Sequence, residues 1–141
     1  MMHTCVDVEH GLIHRLKVTP ANVHDSLVFG QVLDENDEVI YAGKAYDSEK
    51  NRKMLKDNGV EDRILYKGKR DHTQPQWQKE LNKIWNKTRS RVERTFAHLK
   101  GKQGLGQAQY FGLERNTQWV FLNAIAYNLA RAVNILASLK G

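Results

Sequence analysis

Thr4, Val6 and Val8 alternate with Cys5, Asp7 and Glu9, the two-residue period of a strand over His3–Glu9. His10-Gly11 marks a turn. Leu12–Thr19 then reads as a second strand, with Leu12, His14, Leu16 and Val18 on one face. Thr19-Pro20-Ala21-Asn22 ends the hairpin, and a helix is expected from Asp25 to Leu33, capped by Asp25 or Ser26. After the acidic loop Asp34–Glu38, the short apolar run Val39–Ala42 suits a buried strand. Asp47 or Ser48 opens a helix through Asn58, which Gly59 ends, and Asp62–Tyr66 is a further strand. Lys67–Gln74 is a basic loop. From Pro75 to Lys100 the residues Trp77, Leu81, Ile84, Trp85, Thr88, Val92, Phe96 and Leu99 recur at helical spacing, the expected buried stripe of a long helix. Gln103–Gly112 is a loop or short hairpin. A last helix from Asn116 to Leu139 carries Phe121, Ile125, Leu129, Val133 and Leu136 on its expected buried stripe. Strands alternating with helices after an opening hairpin predict an α/β fold with a mixed sheet and flanking helices.

Charge sharpens this picture. Residues 1–43 hold two Lys/Arg against seven Asp/Glu, whereas residues 44–102 hold seventeen against eight. A basic block of that size suits a polyanion such as DNA, or simply a solvated basic surface; charge alone does not choose. The one cysteine, Cys5, excludes a disulfide framework and a cysteine-based zinc site, and fits a reducing cytoplasm. The six histidines show no zinc-ligand spacing. In Trp119–Leu139 the apolar run is broken by Asn123, Asn128, Arg131 and Asn134, which favours a buried amphipathic helix over a membrane span. At 141 residues the chain has room for one domain with a real core.

The long helix carries the most informative polar residues. At 100° per residue, Arg89, Glu93 and Lys100 fall close together beside Val92 and Phe96, while Lys87, Arg91, Arg94 and His98 lie on the opposite side. A carboxylate at the edge of a buried face is a possible metal ligand, and cations around it can hold phosphates. Spacing alone favours the plainer reading, an i,i+4 pair of Arg89 with Glu93.

The spelling Arg89-x-x-x-Glu93-x-x-x-x-x-x-Lys100 resembles the signature around the catalytic glutamate of bacterial insertion-sequence DDE transposases, in the insertion-sequence-five and -four group. Asn86 departs from it, standing where the group has a tyrosine. The flanking Ser90–Phe96, the early His10-Gly11-Leu12-Ile13, Thr19–Asp25 and the closing Asn123–Leu136 also resemble the group's wording, in the same order. The resemblance implies a ribonuclease-H-like fold and two Mg²⁺ ions held by two aspartates and a glutamate, with in-line displacement at phosphorus. It makes Glu93 the metal ligand, Arg89 a positioner of Glu93 or phosphate, and Lys100 a contact to the transposon end. Lys87, Arg91 and Arg94 on the helix, and Lys67, Lys69 and Arg70 in the basic loop, are the candidate DNA contacts. For the loop a merely solvated role is the equal alternative. Tyr110 and Phe111 are further candidates for touching DNA or a partner subunit.

Two departures matter for activity. The family's second aspartate ends the strand matched by Val39–Ala42, where this chain has Tyr41-Ala42-Gly43-Lys44-Ala45-Tyr46-Asp47. Gly43 supplies no oxygen. Asp47, four residues on, reads as a helix cap rather than a replacement ligand. The family's first aspartate lies on a strand upstream of His3–Glu9. The expectation is therefore a truncated ribonuclease-H-like fold over residues 1–141, without that strand or the family's N-terminal DNA-binding region, started at Met1 or Met2 within an interrupted frame. Such a sheet has an exposed edge. Asp7 matches no catalytic position and reads as an outward-facing strand residue. The chain is expected to be a cytoplasmic transposase fragment acting on DNA, catalytically inactive because two of the three carboxylates are missing, with Mg²⁺ as the metal the resemblance implies. The alternative is a non-catalytic remnant that binds DNA, self-associates or pairs with intact transposase.

Overall fold

The computed structural model describes residues 1–141. The strand-and-helix order read from the sequence is present, in two compact units: Met1–Asn22 with Arg91–Gly141, and Val23–Ser90. The strands form two separate two-stranded sheets in place of the single mixed sheet expected.

In the first unit, β1 (Met2–Val6) pairs antiparallel with β2 (Ile13–Val18), with a register shift between Cys5 and Val6. The turn between them is built by Asp7. Its carboxylate accepts from the backbone N–H groups of Glu9 and His10 and from the His10 ring, and Gly11 follows with φ +73°. Asp7 thus lies beyond the strand and closes the turn, which corrects the expectation of an outward-facing strand residue. The positive φ is a conformation glycine adopts without a Cβ clash. The hairpin packs with the C-terminal part of α3 (Gln76–Gly101) and with α4 (Leu113–Lys140) over Val6, Ile13, Leu99, Leu105, Val120 and Ala124.

The polar residues that interrupt α4 attach it to the hairpin. Asn128 accepts from Ile13 N–H at 2.9 Å and donates to Ile13 C=O at 2.8 Å. The Tyr127 hydroxyl meets Gly11 C=O at 3.1 Å, and Arg131 Nε donates to His10 C=O at 2.7 Å. A backbone N–H and C=O satisfied by one amide side chain is a pairing that burial would otherwise penalise. This reverses the expected orientation of α4: Phe121, Ile125, Leu129, Val133 and Leu136 are exposed, and Val120 and Ala124 are buried. By length and composition alone α4 would also reach across a membrane.

In the second unit, α1 (Asp25–Val28) is capped by His24, whose Nδ1 accepts from Ser26 N–H, rather than by Asp25 or Ser26. The helix expected through Leu33 tightens after Val28 into a 3₁₀ turn, Phe29–Gln31. Within it Gly30 passes close to Met54, where a Cβ would stand 3.1 Å from the thioether sulfur. β3 (Val39–Ala42) runs parallel to β4 (Glu61–Ile64), joined by a 3₁₀ turn at Lys44–Tyr46 and by α2 (Glu49–Asp57). Ser48 caps α2 by accepting from Asn51 N–H, and Gly59 follows the helix with φ +70°. Phe29, Ile40, Ala42, Leu55 and Ile64 form the core.

The N-terminal part of α3 docks on Tyr66. Asn82 brackets the Tyr66 backbone, accepting from its N–H at 2.8 Å and donating to its C=O at 3.0 Å. Trp77 packs edge-on to the Tyr66 ring and Trp85 stacks on it. The stripe expected to be buried along α3 is therefore only partly so. Trp77 and Ile84 are exposed, and the fully buried positions are Thr95 and Leu99. The Gln103–Gly112 segment is a loop without a hairpin.

Candidate functional site

Gly43 sits directly after β3 with φ −74° and ψ 167°, an ordinary extended conformation that any residue adopts. Its backbone therefore imposes no need for glycine. A Cβ built there would stand 3.7 Å from the Arg89 guanidinium, an ordinary contact. Arg89, half-buried on α3, thus faces the place from which a side chain at position 43 would project. Nearby, the Tyr46 hydroxyl is pushed up to about 12, mainly by burial and further by Asp25, with Arg89 opposing.

Asp47 does not cap the start of α2, contrary to expectation, because Ser48 does so. Instead Asp47 accepts from Arg52 Nε at 2.9 Å and from Lys67 N–H at 2.6 Å. Arg52 also reaches Asp62 at 2.6 Å and Ile64 C=O at 3.0 Å, and its guanidinium lies 4.2 Å from the centre of the Tyr66 ring. Burial lowers the pKa of this guanidinium, but hydrogen bonds to Asp62 and Asp47 outweigh it and the net shift is upward. One arginine thereby ties the end of β4 to the start of α2, and commits Asp47 to that junction.

Five of the candidate cations fall into two clefts, one in each unit. Lys67, Lys69 and Arg70 line a cleft of about 700 Å³ with Asp47, Ser48, Glu49 and Gly68. Arg91 and Arg94 line another of about 700 Å³, together with His98, Arg131, Gln103, Asn134 and the turn residues Asp7 and Glu9. Lys87 lines neither. Arg131 and His98 were not among the sequence candidates. The usable signal was their place in the helical register: His98 lies 20° from Arg91, and Arg131 is the one cation within the apolar middle of α4, between Arg115 and Lys140 at its ends. The His98 ring packs edge-on to Tyr127, which holds that wall of the cleft in place. Glu93 and Lys100 are exposed on α3, with Glu93 just beyond the half-buried Val92 and Phe96. Tyr110 and Phe111 are exposed in the loop before α4.

These residues do not fit a two-ion centre. No three His, Cys, Asp or Glu side chains gather where they could hold a metal ion. Gly43 offers no ligand, and Asp47 already serves Arg52 and Lys67.

Residues 1–129 match the family model described as the transposase DDE domain. The chain is also 35% identical over 138 residues to the transposase for insertion sequence element IS1106 from Neisseria meningitidis serogroup B. That match covers 96% of this chain and 48% of the relative, so the chain spans about half the length of the curated relative. No solved structure matches. The chain therefore belongs to the DDE transposase domain family, among the transposases of insertion sequences.

Proposed function

We propose that this chain is a DNA-holding part of an insertion-sequence transposase in which phosphoryl transfer is disabled at Gly43. The observation that carries this reading is Gly43 itself. It stands at the end of β3, where the family resemblance puts a metal-binding aspartate, in a backbone conformation open to any residue and facing the Arg89 guanidinium. The fold we assign is ribonuclease-H-like, supported by the order of hairpin, β3 and a long helix carrying Glu93. In an intact relative Glu93 would be the metal ligand for Mg²⁺, with Arg89 positioning it and Lys100 reaching the transposon end. Here the residues that still act are the cations: Lys67, Lys69 and Arg70 in one cleft, Arg91 and Arg94 in the other, and Lys87 on the exposed side of α3. They contact the phosphates of DNA in the cytoplasm.

Binding of the purified chain to duplex DNA across a salt series tests this. Six phosphate contacts, five from the two clefts and one from Lys87, give a slope of log affinity against log salt of about −5. Binding indifferent to salt, or no binding by folded chain, overturns the DNA-holding role. Strand transfer is expected to be absent with Mg²⁺ or Mn²⁺. Cleavage of transposon-end DNA by the unaltered chain would sink the assignment of Gly43 as the lesion.

A further inference from the structure

The cleft of the first unit presents donors and acceptors that are both without partners. Arg91 and Arg94, one helical turn apart, line it from α3, and Arg131 lines it from α4. Arg131 is anchored through Nε to His10 C=O at 2.7 Å, which leaves the two outer nitrogens of its guanidinium for another acceptor. None of the three is paired with a carboxylate, unlike Arg52 and Arg63. Gln103 is held at the end of α3 by its N–H bond to His98 C=O at 3.3 Å, and its Oε1 is buried with no hydrogen-bond partner. A buried acceptor in that state is unfavourable until a donor meets it. Glu9 is brought to the same cleft by the Asp7 turn, to which its backbone N–H donates, while its carboxylate bonds to nothing in the chain. Asp7, the other carboxylate there, is already taken by three donors.

We propose that this cleft binds a guanine mononucleotide, with the phosphate on the three arginines and the base edge on Glu9 and Gln103. Its volume of about 700 Å³ is that of a small-molecule site. Three guanidiniums outnumber the two carboxylates, so a phosphate is still attracted. Phosphate alone, however, brings no donor for Glu9 or Gln103, and a stretch of DNA backbone has the same lack. The ligand must carry an anion at one end and N–H groups at the other. Guanine has two donors side by side, the ring N1–H and the N2 amino group. An ionised carboxylate accepts from both, and the second amino hydrogen remains for the Gln103 carbonyl. Adenine and cytosine set their amino group beside a ring nitrogen that is itself an acceptor and repels a carboxylate oxygen. Thymine has one N–H between two carbonyls. Free dGMP and a guanine at the end of a DNA strand carry the same groups. The site does not rest on the DNA-holding role, because a free nucleotide fills it.

The test is calorimetric titration of the full chain with dGMP, dAMP, dCMP and dTMP, without DNA. The chain should bind dGMP about tenfold more tightly than the other three, the discrimination expected of one bidentate base contact. Glu9→Gln turns one acceptor into a donor and should erase that preference while weaker binding of all four persists. Arg94→Gln should weaken all four alike and keep their order. Both residues are exposed, so the far-ultraviolet circular dichroism of each variant should match the parent. A single strand ending in guanine is then set against bound dGMP. Displacement assigns the site to a strand end, and retention of dGMP assigns it to the free nucleotide. No binding of dGMP at about 1 mM, equal affinity for the four nucleotides, or a guanine preference that survives Glu9→Gln would each overturn the proposal. So would pyrophosphate that binds as tightly as dGMP, which would make the cleft a site for anions alone.

Discussion

At the scale of single residues, position 43 can be tested in isolation from the rest of the site. Gly43 has a φ of −74°, and the nearest atoms a Cβ there would meet are those of the Arg89 guanidinium, at ordinary contact distance. Gly43→Asp should therefore fold, and its carboxylate should pair with Arg89. Replacing glycine also restricts the unfolded chain, worth about 0.4–1 kcal/mol. The melting temperature of Gly43→Asp should equal or exceed that of the parent. A drop of several degrees would show that the space facing Arg89 does not admit a carboxylate. Arg52 has the opposite character. Removing it in Arg52→Ala strands Asp47 and Asp62 and frees Ile64 C=O, at a cost of about 2 kcal/mol in urea unfolding. Asp7 gives the chain a pH dependence. Burial raises its pKa, but hydrogen bonds from Glu9 N–H, His10 N–H and the His10 ring outweigh this and leave it lowered. A lowered folded pKa means the stabilisation is present above the unfolded value of about 3.9 and disappears as pH falls through the folded value. Asp7→Asn should flatten that part of the acid-stability curve while leaving the neutral range less stable than the parent.

Elements divide into those whose cause is local and those whose cause is distant. β3 has the bounds Val39–Ala42 read from its apolar run, and Gly59 ends α2 as expected, because a buried strand and a helix stop are determined by neighbouring residues. The orientation of α4 was not legible in this way. Its periodicity contains two apolar faces, and the choice between them is made by Asn128 and Tyr127 binding backbone groups more than 110 residues away. Read along the chain, those polar residues are interruptions; folded, they are the attachment. The same limit applies to the candidate site. Gly43 and the cation positions could be read from sequence, whereas the commitment of Asp47 to Arg52 and the entry of His98 and Arg131 into a cleft required the fold. Asn128→Leu tests the attachment, since it keeps the volume and removes both hydrogen bonds. It leaves Ile13 N–H and C=O without that partner, and should destabilise the chain by about 2 kcal/mol in urea unfolding. A neutral effect would mean that apolar packing alone holds α4 to the hairpin.

For the whole molecule, the question is whether the basic block acts as one surface or as two separate holds. The acidic excess of residues 1–43 lowers the overall charge to +6, so bulk attraction to DNA is modest and affinity must come from local clusters. Those clusters lie in different units: Lys67, Lys69 and Arg70 in one, Arg91 and Arg94 with His98 and Arg131 in the other. Each phosphate contact removed should reduce the salt slope by about one. Lys67→Glu with Lys69→Glu, and separately Arg91→Glu with Arg94→Glu, should each reduce it by about two. The four changes together should reduce it by about four if both clefts grip the same duplex. If only one pair alters the slope, that cleft is the DNA hold, and the other belongs to the solvated surface that composition alone would equally allow.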